Sequence, residues 1–529
     1  MRKLFFILAF VLVGTVVALG ELVSGYFYLV FIPLLPLIAL GCHNAFQKKR
    51  AILRNYPLLG MLRYFFEEIR PEIQQYFVEN DTDGAPFSRE LRSVVYQRAK
   101  RQRDTIPFGT QRDLYAVGAE WTQHSLQPRH IDPASLRVTI GNHQCKQPYS
   151  ASIFNISAMS YGSLSAPAIR SLNGGAKLGG FYHNTGEGGV TPHHLEPGGD
   201  VVWQIGTGYF SCRNADGTFN SEKFQKRSNH PNIKMIEIKL SQGAKPSHGG
   251  ILPAAKVTAE IAEIRGVEMG KDVNSPPAHS SFSDAEGLIR FVAELRNLSG
   301  GKPVGFKLCI GHPAEFVSIC RAMKKLDTYP DFITVDGAEG GTGAAPLEFT
   351  NSIGTPWIEG LTFVRDTLEL MDLKKHIRII TSGKVVTAFN LLKALALGAD
   401  TVNSARGMML ALGCIQARRC NTNHCPTGVA TNDPGLAVGL VESDKRVRVA
   451  NYQNQTVHAF AELLGACGIA SASDLRRSHI YKRSESGNVI DFEQLYPSVS
   501  AEMRKSAHDP MRKDGQPYAS RFLEAPSAF

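Results

Sequence analysis

Cysteine is scarce in this chain, 9 residues in 529. A disulfide-stapled fold would spread its cysteines in pairs, so a reducing compartment is expected. No zinc-finger spacing and no pattern of stacking aromatics occurs. Nucleic acid is therefore not an expected partner, despite a net charge of +10. No Gly-x-Gly-x-x-Gly fingerprint follows any candidate strand, so no NADPH-binding unit is expected. Hydrophobic residues, in contrast, make up 43% of the chain, enough for a sizeable core. The 49 glycines and 28 prolines fit a chain with many tight turns. The length allows one large domain or two to three ordinary ones.

The first residues are almost purely apolar. Residues 4–20 follow Arg2 and Lys3, Glu21 interrupts, and 22–41 are apolar again before Gln47-Lys48-Lys49-Arg50. Each run is near the minimum length for a spanning helix. Positive charge flanks the pair and none lies between, which places both ends in the cytoplasm and Glu21 in a tight outer turn. Residues 1–50 are thus expected to form a transmembrane hairpin in the inner (cytoplasmic) membrane, with the rest of the chain facing the cytoplasm. The anionic membrane surface suits the positive net charge. A cleaved signal peptide ending near Ala18 is the alternative. It leaves the second run unexplained and would export the clustered cysteines described below. Pro33 and Pro36 predict a kinked or re-entrant second span.

Residues 51–145 read as a helical linker and lead-in. Within it, 56–78 has helical apolar spacing broken at Pro71, suited either to an interfacial helix on the membrane or to packing on the next domain. Residues 89–103 predict a basic, solvated helix. From 153 onward short β-rich runs recur, at 153–157, 180–184, 201–205, 235–238, 304–308, 332–335, 377–381 and 401–404. Helical stretches follow several of them, at 166–178, 253–265, 284–298, 314–325 and 385–397. Eight strands with helical crossovers predict an α/β fold, a (β/α)8 TIM barrel, over a doubly wound sheet. The barrel domain is expected to span 146–470, followed by a polar tail over 471–529.

Chemistry-bearing residues collect at the strand ends. Thr381-Ser-Gly-Lys384 and Ser404-Ala-Arg-Gly407 follow the seventh and eighth strands, the usual phosphate seat in such barrels, and point to a cofactor phosphate such as that of FMN. Three glycine-rich loops follow the second, fourth and sixth strands: Asn184-Thr-Gly-Glu-Gly-Gly189, Lys245-Pro-Ser-His-Gly-Gly-Ile-Leu-Pro253 and Asp336-Gly-Ala-Glu-Gly-Gly-Thr-Gly-Ala-Ala-Pro346. They would let backbone approach a flat ligand. Glu187 is a candidate catalytic or substrate-orienting carboxylate, or a loop ion pair. Lys307 is a candidate to stabilise the negative charge of a reduced flavin, or is paired with a carboxylate in the barrel mouth. His279 has no evident role. Cys414, Cys420 and Cys425, spaced Cys-x5-Cys-x4-Cys-Pro, suit an iron–sulfur cluster; zinc would need a fourth ligand such as His424.

Over 148–433 the chain resembles the FMN-binding synthase domain of glutamate synthase. The matching runs are Ser157-Ala-Met-Ser-Tyr-Gly162, Asn184 to Gly189, Gln242-Gly-Ala-Lys-Pro246, Ser275-Pro-Pro with His279, Gly340 to Pro346, and Met409 to Thr431. The resemblance implies FMN over the strand ends, held by Ser157, Ala158, Met159, Ser160, Gln204, Lys307, Gly340, Gly341, Ser382, Gly383, Lys384, Ala405 and Arg406. It implies a three-iron (3Fe-4S) cluster on Cys414, Cys420 and Cys425. In that family electrons pass from the cluster to FMN, which delivers a hydride to 2-iminoglutarate made from 2-oxoglutarate and ammonia. Glu187, Lys245 and Lys307 are the implied catalytic and substrate-orienting residues.

One loop departs from the family. Where the family has Gly-Glu-Gly-Gly-Gln-Leu-Pro-Gly, this chain has Ser247-His-Gly-Gly-Ile-Leu-Pro-Ala254. The family's glutamine helps bind 2-oxoglutarate; Ile251 cannot hydrogen-bond a carboxylate, and His248 replaces a glutamate. The apolar hairpin stands where the family has its cysteine glutaminase. About a hundred residues follow the cluster, few for the family's large C-terminal domain. The expectation is a stand-alone, membrane-anchored synthase-like oxidoreductase acting on an oxo or imino acid, with ammonia free or from a partner. Its electrons would come from a donor protein such as a ferredoxin or a reductase subunit. The alternative is a membrane-tethered electron-transfer subunit that makes no glutamate.

Overall fold

Short apolar runs buried on both faces can only be central strands, and eight of them close into a parallel barrel. The computed structural model describes residues 1–102, 105–500 and 503. The strands are β1 (Phe154–Ile156), β2 (Tyr182–Asn184), β3 (Asp200–Ile205), β4 (Ile233–Lys239), β5 (Val304–Leu308), β6 (Phe332–Asp336), β7 (Arg378–Ser382) and β8 (Thr401–Ser404). Neighbours in sequence are neighbours in the barrel, and β8 closes onto β1 through Val402 opposite Phe154. All eight expected strands are present. The (β/α)8 architecture is therefore the fold.

The crossover helices obey their local chemistry. Ala166–Gly179 starts at Ser165, whose hydroxyl accepts from the Ala168 N–H, and stops at left-handed Gly180. Ala285–Leu298 is capped by Asp284, and Pro313–Leu326 carries proline at its start. The helix expected over 253–265 is broken. A 3₁₀ turn, Ala254–Lys256, comes first, and Ala259–Arg265 begins only after Thr258 accepts from the Ile261 N–H. The helix expected over 385–397 is shorter, Ala388–Ala396, because Thr387 caps it and Val385 and Val386 are buried before it. The helices that were not expected include Ser221–Ser228, Trp357–Leu370 and the 25-residue Glu442–Ala466.

The floor of the barrel is plugged by an antiparallel hairpin, Arg137–Ile140 with Tyr149–Ser152. Ile140, Tyr149 and Ala151 pack with Tyr182, Val202, Met235, Phe332 and Ile380 in one buried cluster. The segment after 470 is structured as far as it is described. Ile480–Arg483 pairs with Glu120–Thr122 and with Val489–Asp491. Arg103 and the remaining tail positions, 501–502 and 504–529, lie outside the described residues.

Residues 1–89 form a compact unit of their own, and the second unit begins at Glu90. In the first, α1 (Arg2–Leu22) and the helical stretch Gly25–Phe46 are each long and apolar enough to cross a membrane. Pro36 lies inside the second without ending it. The two pack through glycine: a Cβ on Gly41 would lie 2.2 Å from the Phe5 ring, and one on Gly20 2.6 Å from the Tyr28 ring. A further helix, Leu59–Ile73, leaves Leu62, Phe65 and Phe66 more than half exposed.

Arg477 anchors the segment that leads to Tyr496. Its guanidinium bonds Asp366 at 2.6 and 3.2 Å and also donates to the Tyr496 carbonyl at 2.7 Å. Both members of the pair are buried. Removing one partner leaves the other charge stranded, so Arg477→Ala should destabilise the protein by roughly 3–5 kcal/mol. A thermal-melting midpoint indistinguishable from that of the unaltered protein would contradict this.

Candidate functional site

Alternation along a strand puts residues two apart on one face. In β4 that rule places Glu237 and Lys239 together inside the barrel, and in β6 Thr334 and Asp336. Glu237 is 1% exposed. It accepts from Asn184 Nδ2 at 2.8 Å, Gln204 Nε2 at 2.6 Å and Thr334 Oγ1 at 2.6 Å. Asp336 accepts from Ser382 Oγ at 2.5 Å and the Gly243 N–H at 3.0 Å, and its carboxylate lies 3.2 Å from Lys307 Nζ. Burial opposes the charge on Lys307, but Asp336 and Glu237 outweigh it and raise its affinity for the proton. Lys307 is thus ion-paired in the barrel mouth.

Beside this network lies a cluster of cations around one carboxylate. Lys239 Nζ is 2.7 Å from Glu187 Oε2. Burial pushes Glu187 up, yet Lys239, with Lys245 and Arg265, holds it below the usual carboxylate range. Lys245 is 1% exposed, and its side chain makes no hydrogen bond or ion pair among the described residues. Burial lowers its pKa to about 8, with Glu187 partly opposing. Arg265 is 5% exposed, donates to the Tyr161 carbonyl at 2.8 Å and stacks its guanidinium 5.0 Å from the Phe210 ring centroid. The loop that carries Glu187 requires glycine on both sides of it. Gly186 has φ +67°, and a Cβ there would meet the Ser160 nitrogen at 2.9 Å; a Cβ on Gly250 would meet the Glu187 carboxyl at 2.7 Å.

Ala158, Met159, Ser160, Glu187, Gln204, Lys239, Gln242, Gly341, Ala405, Arg406 and Cys420 line one pocket. Several of the expected residues are thereby gathered from strand ends far apart in the chain. Ser157, Lys245, Lys307, Gly340, Ser382, Gly383 and Lys384 are not in that wall. Lys384 is exposed, in the left-handed region at φ 53°. Gln242 Nε2 is buried without a partner among the described residues, an orphaned donor in the pocket wall. Arg406 donates to the Thr342 carbonyl at 2.8 Å.

His279 has a fixed place. Its Nε2 faces the Lys239 carbonyl at 2.9 Å and its Nδ1 faces the Tyr209 hydroxyl at 3.0 Å, so these partners assign the proton to Nε2. Burial lowers its pKa to about 4. It is a neutral strut between its loop and β4.

The three cysteines lie in a loop with Gln416, Arg418 and Asn423 all left-handed, at φ 59°, 55° and 65°. Cys420 and Cys425 each raise the pKa of Cys414, which burial raises most. Cys425 is buried, but N–H groups of Thr427, Val429 and Ala430 and the Thr427 hydroxyl bring its pKa below that of an ordinary thiol. Among the described residues no three His, Cys, Asp or Glu side chains are arranged to hold a single metal ion. His424 is exposed.

Sequence reasoning missed Glu237, Lys239, Arg265, Lys256 and Asp336 as individual site residues. The available signal for the first two was a pair of charges, two residues apart, inside an otherwise apolar strand. Arg265 ends a short helix and carried no signal of its own.

Known proteins share sequence with this chain over most of its length. The family model described as the conserved region in glutamate synthase matches residues 95–470. The glutamate synthase large subunit-like protein YerD of Bacillus subtilis (strain 168) is 37% identical over 490 residues, 85% of this chain and 93% of that protein. The archaeal glutamate synthase (NADPH) of Methanocaldococcus jannaschii is 35% identical over 379 residues, 71% of this chain and 70% of that one. Among solved structures, the recombinant flavin-binding domain of baker's yeast flavocytochrome b2 overlaps with a TM-score of 0.40 at 13% identity, covering 74% of this chain and 78% of that one. With a family match across most of its length and relatives of this identity and coverage, the chain belongs to the glutamate synthase family of oxidoreductases.

Proposed function

We propose that this protein is an FMN and iron–sulfur oxidoreductase that reductively aminates an anionic oxo acid, 2-oxoglutarate or a close relative. One observation carries the reading. Lys239, Lys245 and Arg265 are buried around a single carboxylate, Glu187. Buried positive charge in excess is costly unless an anion joins it. A substrate carboxylate is that anion.

The pocket residues suit FMN. Gln242 offers an unpartnered amide, Gln204 is held rigid by Glu237, and small residues and backbone form much of the wall. Arg406 and the loop at Ser382, Gly383 and Lys384 would hold the phosphate. A Cys425 thiolate favoured by backbone N–H groups suits, together with Cys414 and Cys420, an iron–sulfur cluster. Each thiolate of a three-iron cluster binds a different iron, so the sulfurs stand wider apart than the ligands of one ion. Bound FMN supplies hydride transfer, and the cluster supplies one-electron delivery. The chain's own residues do the rest. Lys245 and Arg265 bind carboxylate, Glu187 and Lys239 orient the substrate, and Lys307 provides positive charge at the flavin's end of the barrel. Electrons come from a ferredoxin or a reductase subunit, and residues 1–50 anchor the protein in the cytoplasmic membrane with the barrel on the cytoplasmic side.

A second reading, an electron-transfer subunit that makes no glutamate, is favoured by the altered loop. Ile251 pairs with Asn274 in a hairpin, and the His248 ring packs edge-on against Phe349 at 5.2 Å. Supplying reduced protein with 2-oxoglutarate and ammonium separates the two. Glutamate formation is the expected outcome; flavin that stays reduced would favour the second.

Protein purified anaerobically in detergent should show flavin bands with broad iron–sulfur absorption. Cys420→Ser should lose iron and keep flavin, and loss of neither would defeat the ligand assignment. Lys245→Met should raise KM for the oxo acid about tenfold or more (~1.4 kcal/mol) with a smaller effect on kcat. Lys245 is charged below its pKa of about 8 and neutral above it. KM of the unaltered enzyme should therefore climb as pH rises through about 8, and Lys245→Met should show no such rise; a persisting rise would place the titration elsewhere. Deleting residues 1–50 should move the protein from the membrane fraction to the soluble fraction on ultracentrifugation.

A further inference from the structure

Buried lysines in this protein mostly face carboxylates. Lys239 meets Glu187, Lys307 meets Asp336, Lys374 meets Asp400 and Lys393 meets Glu120. Lys245 makes no ion pair among the described residues, but the Glu187 carboxylate favours its charge. Lys302 bonds only carbonyls, but one of them belongs to Ser228, at the negative end of helix Ser221–Ser228. Lys256 is different. It is 2% exposed, at the end of the 3₁₀ turn Ala254–Lys256. Its Nζ donates to the Ser163 and Ala430 carbonyls, both at 2.9 Å, and forms no ion pair with a carboxylate among the described residues. Burial lowers its pKa to about 8, and the side chains that partly oppose this and favour its charged form are Cys420 and Cys425. Neutral thiols would give a buried ammonium almost nothing; thiolates bound to iron would compensate it.

The surrounding bonds hold this ammonium against the cysteine loop. Ala430 is engaged on both sides: its N–H points to the Cys425 sulfur and its carbonyl accepts from Lys256. Asn432 Nδ2 donates to the Lys256 carbonyl at 2.9 Å, and Asn423 Nδ2 donates to the Ala255 carbonyl at 3.1 Å. The turn and the loop are therefore sewn together by backbone as well as by charge.

We infer that Lys256 is the built-in counter-cation of an iron–sulfur cluster on Cys414, Cys420 and Cys425 and raises its reduction potential, an inference that rests on the cluster assignment above. Accepting one electron makes the cluster more negative by one charge. A fixed ammonium nearby stabilises that reduced form more than the oxidised form, and local charge and hydrogen bonding are established determinants of cluster potentials. Lys256 touches neither substrate nor flavin in this scheme. It is a positioning and tuning residue.

The test uses the full chain in detergent, prepared anaerobically, with iron and flavin per chain measured first and the cluster then titrated with reductant under EPR. Three variants separate charge from packing. Lys256→Arg keeps the charge, Lys256→Gln keeps a donor without charge, and Lys256→Met keeps length alone. Both neutral variants should retain flavin and shift the cluster's reduction equilibrium at least tenfold toward the oxidised form, about 59 mV for a one-electron couple. Lys256→Arg should stay near the unaltered protein. If Lys256→Met loses its iron, Lys256→Gln carries the measurement; if both neutral variants lose iron while Lys256→Arg retains it, the charge requirement stands. An iron-replete Lys256→Gln protein with an unshifted potential overturns the inference and leaves Lys256 a mechanical tie, as does loss of iron from Lys256→Arg. Unaltered protein without iron defeats the cluster assignment itself, a result distinct from either.

Discussion

The Glu237 carboxylate lies inside a closed barrel with three hydrogen-bond donors around it. Asn184, Gln204 and Thr334 come from three different strands and satisfy it together. A charged group there without them would cost several kcal/mol, and the barrel would be more stable with an apolar residue in its place. What the arrangement secures is orientation. Gln204 cannot turn while its amide is committed to Glu237, and Lys307 feels both Glu237 and Asp336. The chemistry of the mouth is thus set one layer down, by a network whose members must all be present for any one to be tolerated.

That dependence explains which parts of the molecule the chain discloses. Barrel strands are buried on both faces, so runs such as those at β5 and β6 are recognisable as short continuous apolar segments. The loops at Asn184–Gly189 and Gly340–Pro346 declare themselves by their glycines. Gly186 shows why, since its neighbour Ser160 leaves no room for a side chain. The network itself is hidden. Glu237 resembles any strand residue until Asn184, Gln204 and Thr334 are brought around it by barrel closure, and Lys256 resembles any surface lysine until the cysteine loop folds over it. The break in the helix expected over 253–265 has the same origin. Lys256 is turned inward to Ser163 and Ala430, and the helix restarts at Thr258. The long helix Glu442–Ala466 escaped notice because its polar residues outweigh a buried stripe that includes Val449, Tyr452 and Phe460.

Charge is distributed in a consistent way between the Glu187 pocket and the cysteine loop. Near Glu187 there is more buried cation than anion, which suits a carboxylate that arrives and leaves. Near Cys425 the compensation is permanent, from backbone N–H groups and one ammonium, which suits a resident anion. The pocket wall contains both Glu187 and Cys420, so the two regions adjoin. The substituted loop at Ser247–Ala254 lies between them in sequence and leads directly into the turn that carries Lys256. A change of substrate preference there has to respect the backbone bonds that Ala255 and Lys256 make to Asn423 and Asn432.

The hairpin that plugs the barrel floor has a consequence for traffic. With Ile140, Tyr149 and Ala151 packed among the innermost side chains, no path runs along the axis. In the proposed reaction, oxo acid, ammonia and amino-acid product would then share the opposite rim, so that departure of the product would gate the next arrival, and only electrons, which need no opening, could enter while that rim is filled.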